Sequence, residues 1–180
     1  MKCLCLVAHP DDCVIFAGAF LHAYHDLDWT LAYLTHHVDS PRGREIQQFW
    51  HRRNRPCLFL GYQDHWHDNQ QRQFTRWDPD LAGQACWALC QQYDMILTHD
   101  HNGDYGHLHH ELVHRSVRSH PAPVFFAAPG QGNLALEWPA HIYNLDELEL
   151  HRDVIQGFFE HSMISHYCVS TAAQHILDQK

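Results

Sequence analysis

The stretch Lys2-Cys3-Leu4-Cys5-Leu6-Val7-Ala8-His9-Pro10-Asp11-Asp12 decides how the rest of the chain is read. A near-continuous apolar run without polar alternation fits a strand buried on both faces, as in a parallel sheet. Pro10 ends it, because proline has no N–H to give to a ladder. The run is too short to span a membrane or to serve as a secretion signal, so neither is expected and the cytoplasm is the expected compartment. Asp12 is expected to cap a following helix whose apolar face carries Cys13, Phe16, Ala17, Phe20 and Leu21.

Outward from this stretch, short apolar runs alternate with longer amphipathic ones. Strands are expected at Trp29–Thr35, Cys57–Leu60 (ended by Gly61), Met95–Thr98 and Pro123–Ala128, and helices at Glu45–Arg53, 79–92 and His107–Arg118. An edge strand at Ala140–Asn144 and a last helix at Glu147–Phe159 complete the expected elements. The alternation implies an α/β fold: a Rossmann-like, mostly parallel sheet of about five strands with helices on both faces, in one domain over residues 1–180. The Gly130-Gln131-Gly132 segment comes late, with no glycine-rich turn after the first strand, so no dinucleotide site is expected. Ligands of such sheets bind beyond the carboxyl ends of the strands, which here are the loops His9–Asp12, His36–Arg44 and His99–His110.

A hydrophobic fraction of 45% and a charged fraction of 18% fit a globular chain and exclude a disordered one. The net charge of −9 argues against nucleic acid as a partner, since the one basic spot, His51-Arg52-Arg53-Asn54-Arg55, reads as a solvated helix end. Seven cysteines form no CxxC pair and sit mostly among apolar neighbours, where they act as small buried hydrophobes. Histidine is over-represented, at 20 positions. At that density an HxxH pair arises by chance roughly twice, so only histidines inside a richer pattern carry weight.

Two segments have such a pattern. In His9-Pro10-Asp11-Asp12, an imidazole and two carboxylates follow a buried strand, where they are costly to desolvate unless something pairs with them. A divalent metal does so, since zinc takes imidazole nitrogen and carboxylate oxygen. Adjacent aspartates point in different directions, so one can ligate while the other faces a water. The alternative is a plain Pro-Asp turn with a helix cap. The second segment is Thr98-His99-Asp100-His101-Asn102-Gly103-Asp104-Tyr105-Gly106-His107-Leu108-His109-His110, in which His107 and His110 share a helix face. Solvated surface histidines are the competing reading, strongest for His101 and His109.

Together the two segments resemble the LmbE-like or PIG-L family of zinc-dependent N-deacetylases. The AHPDD after the first strand and the THxxxGxYGHxxH loop after the fourth carry the resemblance; Arg42-Gly43-Arg44-Glu45 is similar to the family's RxxE and Leu60–Asp64 to its LGxxD. The resemblance covers residues 2–118. It implies His9, Asp12 and His110 as metal ligands for Zn2+, with Fe2+ or Co2+ also acceptable to such donors. It further implies Asp11 as general base and His107 as the protonated partner that steadies the oxyanion or protonates the leaving amine. Tyr105 falls at the family's mobile tyrosine. Arg42, Arg44 and Asp64 would line a polar substrate pocket, with Trp66 available to stack on a ring. The implied partner is a small N-acetylated molecule, free, glycan-linked or lipid-linked. His109 stands where the family has an aspartate that orients the imidazole matching His107, a task left here to Glu111 or Asp104. The chain is shorter than is usual for the family, and a homo-oligomer could supply a missing wall.

Two rivals remain open. His110-Glu111-Leu112-Val113-His114 reads HExxH, with His120 at the spacing of a third zinc ligand, but Val117 stands where the required turn has glycine. A histidine-rich metal buffer would explain the imidazoles but not the paired aspartates.

Overall fold

The side chains from Cys3 to Ala8 are fully buried, and successive strand residues point to opposite faces. Strand β1 (Lys2–Val7) therefore feeds two cores at once. Cys3, Cys5 and Val7 join Val14, Phe20, Ile46, Phe49 and Ile155 on one face. Leu4, Leu6 and Ala8 join Ala82, Cys86, Cys90, Leu112 and Val113 on the other. The computed structural model describes residues 1–138, 143–159 and 164–179, and of Trp66 and Phe159 the backbone alone.

After β1 come α1 (Asp12–Ile15), α2 (Gly18–Ala23), β2 (Asp28–Thr35), α3 (Pro41–His51), β3 (Cys57–Tyr62), α4 (Trp66–Gln71) and α5 (Pro79–Cys90). Then follow β4 (Met95–Thr98), α6 (Gly103–Gly106), α7 (Leu108–Val117), β5 (Pro123–Ala127), β6 (Leu134–Glu137), α8 (Arg152–Phe159), β7 (Ile164–Val169) and α9 (Thr171–Leu177). The sheet order is β3-β2-β1-β4-β5-β7-β6. Strands β1 to β5 pair in parallel, and β7 runs antiparallel to both β5 and β6. The chain winds outward from β1 to β3 and then returns to β4 on the other side of β1. The strand order thus reverses between β1 and β4, the place where open α/β sheets leave a crevice for ligands.

The expected parallel sheet is present, but it has seven strands instead of about five. The two extra ones form the antiparallel edge, where half-exposed Leu134–Glu137 and Ile164–Val169 mix polar with apolar residues and lack a buried-strand signature. The edge strand expected at Ala140–Asn144 falls mainly outside the described residues. The last expected helix begins at Arg152 instead of Glu147, after a separate turn over Leu145–Glu147 capped by Asn144.

The helix expected after Pro10 is broken in two. The Tyr167 hydroxyl donates to the Phe16 carbonyl at 2.7 Å and accepts from the Phe20 N–H at 3.2 Å, so it stands between the partners of one helical hydrogen bond. Insertion of this kind interrupts a helix. Asp12 is also no cap: Asp11 holds that position, while Asp12 Oδ2 accepts the His9 N–H at 2.7 Å. Helix α3 starts a turn earlier than expected because Ser40 caps it and Pro41 opens it.

Gly43 sits where α3 passes the loop after β2, and a Cβ there would lie 2.1 Å from the His37 carbonyl oxygen. Gly43→Ala is expected to cost about 1–3 kcal/mol through overpacking, read as a lower urea midpoint at unchanged slope. An unchanged midpoint would contradict the tight approach.

Candidate metal centre

Strand β1 delivers His9 to the crevice, and the turn after it is tied down by Thr35, whose N–H and hydroxyl both donate to the Ala8 carbonyl at 3.0 and 2.7 Å. His110 arrives from the first turn of α7. His9 Nδ1, Asp12 Oδ2 and His110 Nε2 form a nearly equilateral triangle with edges of 3.1, 3.1 and 3.2 Å. All three residues are buried. A tetrahedral ion with bonds of about 2.0–2.1 Å needs its ligands about 3.3 Å apart, so the triangle fits one face of such a shell. The donor chemistry fits as well: two imidazole nitrogens and a carboxylate oxygen are among the donors that such an ion takes.

The protonation of the site records the same convergence. Burial alone would lower His9, but the carboxylates of Asp12 and Asp64 raise it to about 10. His110 is raised against its own burial by Asp12 and Asp104. Asp12, which burial would raise, is held well below the carboxylate range by His110 and His9.

Each imidazole is aimed by what lies behind it. His110 Nδ1 donates to Asp104 Oδ2 at 2.8 Å, so in the neutral ring the lone pair turned to an ion is that of Nε2. His99 stacks on His110 with ring centroids 3.9 Å apart. Its Nε2 accepts the Ala8 N–H at 2.9 Å, so its proton lies on Nδ1, facing the same Asp104 oxygen. Asp104 holds a backbone conformation of φ 63° and ψ −59° inside α6, a strained γ-turn geometry. Asp100 Oδ1 supports it by accepting the Asp104 N–H at 2.8 Å.

Around the triangle, Asp11 Oδ1 lies 2.8 Å from an Arg42 guanidinium nitrogen. His107 caps α7, with Nδ1 accepting the His109 N–H at 3.2 Å. Burial and the charges of His9 and His110 push it down to about 2. Tyr105 is 55% exposed at the rim, its ring centroid 5.2 Å from that of His110. Asp64 Oδ1 lies 3.5 Å from His9 Nε2 and borders a cavity of about 400 Å3 with His36, His37 and Gln63. Phe16 forms the opposite wall, in ring contact with His110, Tyr105 and Phe126. Arg44 is not brought to the site: it is exposed and donates to the Asp39 carbonyl. The Trp66 side chain lies outside the described residues.

The model of the PIG-L family, described as GlcNAc-PI de-N-acetylase, matches residues 4–120, more than half of the chain. The chain belongs to the PIG-L family. No curated protein matches it. Among solved structures it is similar to an N,N'-diacetylchitobiose deacetylase from Pyrococcus horikoshii, at 13% identity and a TM-score of 0.59 over 97% of this chain and 85% of that one. A deacetylase from the teicoplanin biosynthesis pathway matches at 11% identity and a TM-score of 0.56, over 95% and 99% of the two chains. The 4-carboxy-2-hydroxymuconate hydratase GalB from Pseudomonas putida KT2440 matches at 13% and 0.57, over 93% and 95%. At these identities the likeness is one of fold.

Against the PIG-L pattern, neither residue expected to replace the missing aspartate supports His107. Asp104 serves His99 and His110, and Glu111 takes a bidentate pair with Arg72 at 2.7 Å. The HExxH alternative fails on geometry. His114 Nδ1 bonds the His99 carbonyl, and His120 bonds the Tyr93 carbonyl and the Ala122 N–H. Among the described residues neither belongs to a group able to hold an ion. His99 and Asp104 emerge as supports that reading motifs left without these roles; their signal was the strand-ending Thr98-His99 and an aspartate between two glycines. No helix among the described residues is long and apolar enough to cross a membrane.

Protons on His9 and His110 occupy nitrogens that an ion needs, and raised values mean those protons leave only as pH rises. Zinc uptake is therefore expected to release protons and to tighten steadily between about pH 6 and 8, measured by titration calorimetry in buffers of different ionisation enthalpy. Affinity independent of pH would contradict the triangle as the site.

Proposed function

We propose that the chain is a metal-dependent hydrolase that removes an N-acyl group, in the first place acetyl, from an amino sugar or a related small amine. Family membership supports the hydrolytic deacetylase class, and the observation that carries the reading here is the buried triangle beside the carboxylate of Asp11. His9, Asp12 and His110 would hold one divalent cation; Zn2+ suits the donors, and so do Fe2+ and Co2+. When bound, the ion supplies Lewis acidity, which polarises a carbonyl and makes a water acidic near neutral pH.

The remaining work falls to the chain. Asp11, steadied by Arg42, takes a proton from the attacking water and passes it to the departing nitrogen, so that amide and water become acid and amine. His107 acts as a neutral donor. Its Nδ1 accepts the His109 N–H, so the proton of the neutral ring sits on Nε2, where it would serve the developing oxyanion. This replaces the protonated His107 that the family resemblance implies. Tyr105 adds a phenol donor from the rim. With Arg42 engaged by Asp11, the Asp64 cavity would receive the sugar hydroxyls, while Phe16 faces the acyl methyl. The amine is free, glycan-linked or lipid-linked.

A screen of N-acetylated amino sugars for release of free amine, with and without added zinc, tests the class. On any substrate found, Asp11→Asn is expected to keep its metal and lower kcat by about 10²–10⁴, with little change in KM. Loss of the metal in that variant would make Asp11 a ligand, and full activity would overturn the mechanism.

A further inference from the structure

His109 stands where the family pattern has an aspartate, yet its ring turns away from that task. Its Nδ1 lies 3.3 Å from His9 Nε2, and its Nε2 faces Asp68 Oδ2 at 3.5 Å. Both side chains are wholly buried. Neither His109 Nε2 nor Asp68 Oδ2 has a hydrogen-bond partner among the described residues, and buried polar atoms are costly to leave unpaired. A small approach of the two would satisfy both.

The parts around this contact hold it in direction. Asp68 Oδ1 accepts the Thr75 N–H at 3.0 Å and the Thr75 hydroxyl at 2.6 Å, and faces His65 Nδ1 at 3.3 Å. The carboxylate cannot turn without breaking these, so Oδ2 stays on His109. Phe74 stacks on the His109 ring at 5.7 Å and 17°, and Trp77 covers it at 5.4 Å. Asp64 Oδ1 flanks the His9–His109 contact at 3.5 and 3.7 Å.

Proton placement then follows from one end to the other. If His9 Nδ1 is to face an ion, its proton sits on Nε2. His109 Nδ1 can accept that proton only when bare, which puts the proton of His109 on Nε2, toward Asp68. We infer that Asp68 and His109 are positioning residues for His9, a carboxylate–imidazole line that fixes its tautomer and turns Nδ1 into the triangle. The inference rests on the proposed role of His9 as a ligand. His110 has the same support in shorter form, directly from Asp104. Each imidazole ligand thus has its own buried carboxylate, one through a relay and one without.

The test is the affinity of the full chain for Zn2+, measured by competition with a chromophoric chelator. His109→Phe keeps a ring between Phe74 and Trp77 but removes both nitrogens; Asp68→Asn keeps the volume and a polar group beside Thr75. Each is expected to weaken binding about 10–100-fold, and the double variant by no more than the larger single loss, since both break one line. His109→Gln, whose amide both accepts and donates, is expected to recover part of the affinity. Should His109→Phe fail to fold, Asp68→Asn decides alone. Variants that melt earlier yet bind zinc as tightly as the parent overturn the inference and leave the metal reading intact. A parent that binds no ion overturns both. Two ions per parent chain falling to one in His109→Phe would mean that His9, His109 and Asp64 hold a second ion, which also overturns it.

Discussion

Three electron-pair donors, from the end of β1, the start of α1 and the first turn of α7, meet in the interior within 3.2 Å of one another, and most of the molecule can be read as the means of keeping them there. Bringing a carboxylate and two imidazoles together out of water is unfavourable unless charge or a cation joins them. The parallel strands on either side of the reversal point supply a rigid base for them. The Ala8 carbonyl takes two donors from Thr35, and the Ala8 N–H is given to His99, so even the backbone before His9 is pinned from both sides. The strained Asp104 belongs to the same scheme, because its one carboxylate oxygen serves two stacked rings.

Fold alone does not choose the reaction. The architecture is shared with two deacetylases and with a hydratase, so the chemistry has to be argued from side chains. In the proposed mechanism the decisive ones are Asp11, left outside the triangle and paired with Arg42, and His107, whose Nδ1 accepts the His109 N–H in the first turn of α7. A site that would hold an ion by three protein donors, with a separate carboxylate and a separate imidazole at its side, would suit hydrolysis of a polarised bond.

The parallel half of this architecture was legible in the residues, because double burial writes itself as unbroken apolar runs such as Cys3–Ala8 and Met95–Leu97. The antiparallel edge was not, since Ile164–Val169 is half exposed and mixes Ser165 and His166 with its apolar residues. Nor could local pattern reveal the break between α1 and α2, which is made by a hydroxyl from Tyr167, far along the chain. At the site, His9, Asp12 and His110 were readable because they stand in short motifs. Asp68 belongs to no motif, and His109 looked like a surface residue, since a ring buried between Phe74 and Trp77 leaves no periodic trace. Arg44 shows the converse: it was expected in the pocket with Arg42, and the helix turns it to solvent.

X-ray absorption at the zinc edge of the zinc-loaded chain tests the central claim most directly. The triangle predicts one ion per chain with two imidazoles and otherwise oxygen, at about 2.0–2.1 Å. Three or more imidazoles around the ion, or a sulfur at about 2.3 Å, would contradict it.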